Sequence, residues 1–203
     1  MQSNKELIDH LIKRKVLKTR RIIDAFMAID RADFIRSEYA SETYGDYPLT
    51  IGYGQTISQP YTVAFMFELL HPQKGNKILD VGSGSGWTTA LLAHIVQENG
   101  TVLGMEIVSE LVEFGAGNLE KYHFPNAVIV PAGDQIGRPT EQFDKILVSA
   151  SAREVPHDLK EQLKIGARMV IPVGHSICTI DRISKDQMKE SEDYGFVFVP
   201  LKY

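Results

Sequence analysis

Hydrophobic and polar residues alternate in blocks along the second half of this chain, and the blocks predict strands and helices in turn. Short apolar runs predict strands at 77–81, 101–106, 127–131, 144–149 and 167–173. The segments between them predict helices at 87–97, 108–122 and 156–164. Apolar strands separated by helices indicate βαβ units, so we expect a parallel sheet covered on both faces.

The end of the chain follows a different pattern. Two further strands are predicted at 176–183 and 194–199, with no helix between them. The polar stretch 185–193 is interpreted as the tip of a hairpin that joins these strands. We therefore expect an antiparallel pair to finish the sheet.

The first part of the chain predicts helices at 4–14, 20–29 and about 60–70, while 37–56 is interpreted as irregular. Pro60 suits the first turn of the third helix, where its missing N–H costs nothing. The predicted fold class is α/β, a doubly wound, Rossmann-like sheet that is mostly parallel. We expect a single domain, 1–203, in which a helical N-terminal subregion (1–75) precedes the Rossmann-like core (76–203).

Composition narrows the possible functions. The net charge of the 203 residues is −4, so no basic face is expected to attract nucleic acid. The single cysteine, Cys178, excludes an intramolecular disulfide framework, and the six histidines show no metal-ligand spacing. The charged N-terminus does not resemble a secretory signal, and no stretch approaches the ~18 apolar residues of a membrane span. We expect a soluble, cytoplasmic monomer without a metal ion.

A glycine-rich segment, Asp80–Gly86 (DVGSGSG), joins a predicted strand to a predicted helix. Glycines at such a junction let the backbone approach a ligand, and the helix N-terminus directs free N–H groups at it. The spacing is G-x-G-x-G, and Trp87 replaces the last glycine of the dinucleotide fingerprint, which argues against NAD. Asp80 would repel a pyrophosphate, whereas it suits the sulfonium and ammonium groups of S-adenosylmethionine (AdoMet).

Two more acids follow predicted strands. Glu106 ends the second strand of the core, where an acid commonly accepts hydrogen bonds from ribose hydroxyls. Gly133 and Asp134 follow the third strand, where a carboxylate can meet an adenine amino group. Each acid alone is equally consistent with a turn residue or a helix N-cap. Three acids at successive strand ends favour a cofactor site.

A more specific motif precedes the glycine loop, in the segment IGYGQTISQP at 51–60. Other segments match the same family in order: FDKILVSA at 143–150, EVP at 154–156, GARMVIPVG at 166–174 and FVPL at 198–201. Together they resemble the protein-L-isoaspartate (D-aspartate) O-methyltransferases, which are class I AdoMet-dependent methyltransferases. The resemblance covers nearly the whole chain and implies methylation of L-isoaspartyl carboxylates in damaged proteins, with S-adenosyl-L-homocysteine as the product.

The resemblance also implies roles for particular residues. Ser58 corresponds to the active-site serine of the family and orients the substrate carboxylate or the methyl donor, although its alternative role is the N-cap of the helix that begins at Pro60. The residues implied to border the cofactor are Gln55, Thr56, Ile57, Ser58, Asp80, Gly82, Ser83, Gly84, Glu106, Gly133 and Asp134. Those implied to contact the substrate are Gly52, Gly54, Val199, Pro200 and Leu201. The last three are expected to offer backbone partners to an extended peptide.

Two departures from the family pattern, Gln135 and Ser151, leave the substrate range open. An alternative is therefore an AdoMet methyltransferase of this fold that acts on another peptide or small-molecule carboxylate. A non-catalytic peptide-binding relative is a second alternative, but the presence of Asp80, Glu106 and Ser58 argues against it.

Overall fold

The computed structural model of the protein describes residues 1–202. Its α-helices are α1 (Asn4–Lys13), α2 (Arg20–Ala28), α3 (Pro60–Leu70), α4 (Trp87–Val96), α5 (Ser109–Glu120) and α6 (His157–Glu161). Its strands are β1 (Leu49–Gly52), β2 (Gln55–Ile57), β3 (Lys77–Val81), β4 (Thr101–Glu106), β5 (Ala127–Pro131), β6 (Phe143–Val148), β7 (Leu163–Val173), β8 (Ser176–Arg182) and β9 (Met188–Tyr194). Two 3-10 helices, Arg31–Phe34 and Ser37–Glu42, precede the first strand.

Strands β3 to β9 form one seven-stranded sheet in the order β5-β4-β3-β6-β7-β8-β9. The pairs among β5, β4, β3, β6 and β7 are parallel, and β8 and β9 are added antiparallel. The chain reverses its direction across the sheet between β3 and β6, and ligands of open α/β sheets bind at such a switch point. The predicted fold class is confirmed.

Successive residues of the central strands enter different hydrophobic clusters, as the two-residue repeat of a strand requires. Ile78 of β3 belongs to the cluster that also contains the apolar residues of α1 to α4. Leu79 belongs to the cluster on the opposite face, together with Leu159 of α6. Both faces of the sheet are therefore covered, and the N-terminal helices supply much of one cover.

The predicted position of the last strand is wrong. Strand β9 ends at Tyr194, where the prediction placed its start, and the hairpin turn lies at 183–187. As the edge strand of the sheet, β9 (MKESEDY) is mostly charged, so it lacks the apolar pattern on which the prediction relied. The apolar residues that follow it form an extended tail, 195–202, in which the Phe196 ring lies 5.0 Å from the Phe65 ring of α3.

The segment predicted to be irregular contains a short hairpin, in which β1 pairs antiparallel with β2. Its turn residues Tyr53 and Gly54 both have positive φ, of 56° and 71°, as a two-residue turn of type I′ requires. Helix α6 is shorter than the predicted 156–164, because β7 already begins at Leu163. Within residues 1–202, no helix is long and apolar enough to cross a membrane.

Candidate active site

A cleft opens at the carboxyl edge of the sheet, beside the switch point between β3 and β6. Its walls come from the ends of β3 to β6, from the β1–β2 hairpin and from the C-terminal tail. The predicted site residues in these walls are Gln55, Thr56, Gly82, Gly84, Glu106, Gly133, Val199, Pro200 and Leu201. The residues that follow β3, β4 and β5 meet there because parallel strands end at one edge, and the hairpin and the tail pack against that edge from either end of the chain.

The glycine loop forms the floor of this cleft with its backbone. Gly82 has a φ of +77°, which favours glycine, and a Cβ added there would make only ordinary contacts at 3.9 Å with Ser149 and Ala150. Gly86 has a different role, because an added Cβ would lie 2.8 Å from the carbonyl oxygen of Gly115 on α5. A Cβ on Gly115 would in turn lie 2.7 Å from the Gly84 carbonyl oxygen. These two glycines let α5 pack against the loop, and the sequence motif did not identify Gly115.

Asp80 lies beneath the loop and is fully buried. Its Oδ2 accepts hydrogen bonds from the hydroxyls of Thr88 and Thr89, both at 2.7 Å, while its Oδ1 has no partner within residues 1–202. Burial raises the pKa of Asp80 to about 6, an effect that the two hydroxyls oppose and the charge of Glu106 reinforces. A buried acceptor without a partner is costly, and a nearby cation would compensate for it.

Glu106 lies in the cleft wall and is itself largely engaged by the backbone. Its Oε2 accepts the Gly84 N–H at 2.9 Å, and its Oε1 accepts the N–H groups of Ile107 and Val108 at 2.8 and 3.0 Å. A carboxylate has about four acceptor positions, so one is left for a hydroxyl donor in the cleft. The residue therefore fixes the glycine loop and can still bind a ribose.

The loop after β5 places its residues differently from the prediction. Gly133 lines the cleft, and so does its neighbour Gln135. The exposed Asp134 is not among the residues that line it. The contact between Asp134 and an adenine amino group stays a prediction, and its neighbour Gln135 is the residue that lines the cleft.

Ser58 stands between this cleft and a second, larger groove. It lines a small cavity under the glycine loop, together with Ile57 and Ser83, and it also lines the groove. Thr56 and Ser149 line the cleft, the small cavity and the groove. The Ser83 hydroxyl, which is buried, has no hydrogen-bond partner within residues 1–202. The three spaces thus meet at Thr56 and Ser149, and Ser58 lies where the groove and the small cavity adjoin.

Ser58 does not cap helix α3 in the structure, so its alternative predicted role is wrong. The N-cap of α3 is Gln59, whose side chain makes no capping bond. Asp46 caps the helix from outside instead, because its Oδ1 accepts the Tyr61 N–H at 2.9 Å. The Ser58 hydroxyl is therefore not used for capping.

Arg31, which the sequence did not mark as a site residue, holds this segment from behind. Its guanidinium is fully buried and donates to the carbonyl oxygens of Thr43 at 2.6 Å and Ser58 at 3.3 Å, and to two others in 45–47. Burial lowers the pKa of Arg31 to about 10, while the charge of Asp46 opposes that change. Arg31 stays charged at neutral pH and fixes the backbone that carries Ser58.

The C-terminal tail closes one side of the cleft. Its backbone pairs with Ser151, whose N–H donates to the Val199 carbonyl at 2.8 Å and whose carbonyl accepts the Leu201 N–H at 2.8 Å. Backbone groups of successive strand residues point to opposite sides. A peptide on the other edge of this tail would therefore pair with Phe198, Pro200 and Lys202, rather than with Val199 and Leu201.

The two glycines of the β1–β2 hairpin lie at the rim. Gly52 borders a shallow surface pocket with Arg36, whose Nε donates to the Ile51 carbonyl at 2.6 Å. Gly54 occupies the turn and is exposed. Their positive φ values of 92° and 71° suit glycine, so the structure assigns them a role in shaping the hairpin.

These residues fit AdoMet as a ligand. The buried Asp80 supplies negative charge, Glu106 can accept a hydroxyl, and the Ser83 hydroxyl needs a partner.

This chain is similar to known proteins over nearly its whole length. A family model described as protein-L-isoaspartate(D-aspartate) O-methyltransferase matches residues 2–203. A protein-L-isoaspartate O-methyltransferase of Methanopyrus kandleri is 37% identical over 206 residues, which cover 98% of this chain and 91% of that protein. One from Anaeromyxobacter dehalogenans is 42% identical over 194 residues, which cover 92% of this chain and 91% of that protein.

The solved structures include a Plasmodium falciparum protein described as a protein-L-isoaspartate O-methyltransferase, in complex with S-adenosyl-L-homocysteine. It superimposes on this chain with a TM-score of 0.88 and 26% identity, and the match covers 98% of each chain. The likeness therefore extends over the N-terminal helices and the tail as well as the sheet.

Proposed function

This chain belongs to the protein-L-isoaspartate(D-aspartate) O-methyltransferase family, and we propose that it methylates the free carboxylate of L-isoaspartyl residues in proteins and peptides. The methyl donor is AdoMet and the products are a methyl ester and S-adenosyl-L-homocysteine. One observation carries the proposal within this chain. The cleft that fits the cofactor and the groove that can hold a peptide meet at Thr56, Ser149 and Val199, and Ser58 lines the groove and the small cavity beside that junction.

The reaction needs alignment more than a base. When bound, AdoMet supplies a methyl group activated by its sulfonium. A carboxylate with a pKa near 4 is already ionised at pH 7, so no proton has to be removed from the acceptor. A carboxylate oxygen forms the new bond to carbon as the bond from carbon to sulfur breaks. The protein has to hold the two atoms in line and exclude water.

Ser58 is proposed to orient the acceptor carboxylate by donating its hydroxyl hydrogen. Its position supports this role, because the hydroxyl is not used as a helix cap and the residue lines both the small cavity and the groove. Arg31 holds the Ser58 carbonyl from behind, so the hydroxyl is carried by a fixed backbone. The remaining cofactor contacts of Gln55, Thr56, Ile57, Gly82, Ser83, Gly84 and Gly133 are proposed with it.

The proposed consequence of methylation is repair. The neighbouring peptide nitrogen attacks the carbonyl carbon of the methyl ester, the C–O bond to methoxide breaks, and methanol leaves as a succinimide forms. Water then opens the ring, partly to normal aspartate. We further propose that the protein acts as a cytoplasmic monomer, folded as one domain over residues 1–203. The alternative acceptor, another peptide or small-molecule carboxylate, would use the same cleft and the same alignment.

The test is methyl transfer from labelled AdoMet to an isoaspartyl peptide and to its normal aspartyl twin. We expect a base-labile label on the isoaspartyl peptide alone. Label on neither peptide, from protein that binds AdoMet, would send the search to other carboxylates.

A variant locates the chemistry. Ser58→Ala is expected to keep its affinity for AdoMet but to lower kcat by about 10- to 100-fold, as loss of one hydrogen bond to a charged group predicts. Ser191→Ala, which removes an exposed hydroxyl from β9, is the matched control. Wild-type turnover in Ser58→Ala would remove Ser58 from the mechanism.

A further inference from the structure

The groove meets the cleft and the small cavity at Thr56 and Ser149. Among its lining residues within 1–202, Arg14 has the one charged side chain. The other walls are polar or apolar, and the tail residues Tyr194–Val199 form one of them. The groove has a volume of about 780 Å³, which is within the range of ligand sites. A substrate segment in the groove would therefore meet a positive charge at one place only.

The guanidinium of Arg14 is held in position by stacking on a ring rather than by hydrogen bonds. Its guanidinium lies 4.7 Å from the centre of the Tyr61 ring, and stacking on an aromatic face orients it. Within residues 1–202 its side chain makes no hydrogen bond. The closest carboxylate oxygen, Oδ2 of Asp46, is 3.9 Å away, which is too far for a hydrogen bond.

Asp46 neutralises Arg14 only in part, because other groups share its charge. Its Oδ1 caps α3 through the Tyr61 N–H, and its Oδ2 lies 3.5 Å from Nε2 of His10. The Arg14 side chain is 51% exposed, and an exposed pair at 3.9 Å contributes little. The donors of Arg14 are thus available to an anion in the groove.

The anion that Arg14 meets is not the methyl acceptor. Thr56 and Ser149 line the groove, the cleft and the small cavity, so the acceptor carboxylate belongs at their junction. Arg14 lines the groove but neither the cleft nor the small cavity, and the same is true of Tyr61, on which it stacks. Arg14 is therefore placed to contact a residue that neighbours the isoaspartyl residue in the substrate.

We propose that Arg14 is a specificity-determining residue, which gives this enzyme a preference for substrates with an acidic side chain close to the isoaspartyl residue. The inference rests on the proposed function. It names the substrate class more closely, as isoaspartyl sites in acidic sequence contexts. A bidentate contact between guanidinium and carboxylate provides the recognition.

The experiment compares isoaspartyl peptides that carry Glu or Gln at each of the two positions on either side. For the wild-type protein we expect kcat/KM to be about two- to fivefold higher with Glu at one of these positions, as for an exposed ion pair. The preference should weaken at high salt, because screening acts on exposed charges. Arg14→Gln should abolish it, Arg14→Lys should keep part of it, and Arg14→Glu should reverse it.

Lys13→Gln is the matched control, since Lys13 is an exposed cation on the same helix and does not line the groove. It removes the same charge and should leave the Glu preference unchanged. A wild-type protein that treats Glu and Gln peptides alike would overturn the inference, and so would an equal loss for all peptides in Arg14→Gln. Failure of the proposed function looks different, because the wild-type protein would then methylate no isoaspartyl peptide at all.

Discussion

Asp80→Asn tests whether burial under the glycine loop makes the ionised form of the Asp80 carboxylate unfavourable. Asp80 is fully buried, its Oδ2 accepts from two threonine hydroxyls, and its Oδ1 has no partner within residues 1–202. An asparagine has nearly the same shape, and its carbonyl oxygen can accept the hydroxyls of Thr88 and Thr89. The substitution therefore removes the charge while it keeps the packing.

The magnitude follows from the pKa of Asp80, which burial raises from 3.8 to about 6. Between these two values the folded protein keeps a proton that the unfolded chain has released. The contribution of Asp80 to the free energy of unfolding therefore falls as the pH rises through this window, and it levels off above about pH 7. At 1.36 kcal/mol per pKa unit, the total loss is about 3 kcal/mol.

Asp80→Asn should lack this loss because it has no proton to release. The difference in unfolding free energy between the variant and the wild type should move by about 2.4 kcal/mol in favour of the variant between pH 4 and pH 7, because part of the loss has already occurred at pH 4. Any constant cost of placing the amide group cancels in this comparison. Urea denaturation of the ligand-free proteins at pH 4, 5, 6 and 7 measures it.

Asp186→Asn is the control, since Asp186 is exposed in the turn between β8 and β9. Its stability profile should run parallel to that of the wild type. If the Asp80→Asn profile were also parallel, burial would not penalise the Asp80 charge and the electrostatic account of the site would fail.

Three further substitutions test the rest of the site. Glu106→Ala should weaken AdoMet binding by roughly 10- to 100-fold in titration calorimetry, because it removes both the hydroxyl acceptor and the anchor of the Gly84 N–H. Wild-type affinity for AdoMet in Glu106→Ala would remove Glu106 from the cofactor site. Gly115→Ala should destabilise the protein by about 1–3 kcal/mol, since its Cβ would lie 2.7 Å from the Gly84 carbonyl oxygen. Its control is Gly117→Ala on the same helix, which meets no atom within 4 Å and should be neutral or stabilising. Arg31→Lys should cost roughly 2–4 kcal/mol in urea denaturation and lower kcat, because an ammonium group cannot bridge the carbonyls of Thr43 and Ser58; unchanged turnover would show that Ser58 does not depend on Arg31.

The sequence predicted the elements that have strong periodicity. The parallel strands β3 to β7 and the helices between them lie close to their predicted positions because each buries an apolar face or run. The edge strand β9 and the β1–β2 hairpin were misplaced or missed. Strand β9 is a mostly charged edge strand, and the two strands of the hairpin have only four and three residues, so turn chemistry and neighbouring strands decide their structure rather than an apolar pattern of their own.

For the site, the sequence alone determined which residue types stand at the strand ends. The carboxyl ends of parallel strands must meet, and so the acids Asp80 and Glu106 and the glycine loop could be assigned to one edge before any coordinates. The motif at 51–60 likewise connected Ser58 to the reaction through its family.

Only the tertiary structure decided which of these residues line the cleft, which are buried beneath it and which are engaged by other segments. It buried Asp80 beneath the loop, turned Asp134 out of the cleft wall and engaged Val199 and Leu201 with Ser151. It also placed Arg31 behind Ser58 and Arg14 in the groove, through contacts between segments that are far apart in sequence. Such contacts depend on how α1, the 3-10 helices and the tail pack around the sheet. Local periodicity carries no information about that packing, because it reports only which face of each element is apolar.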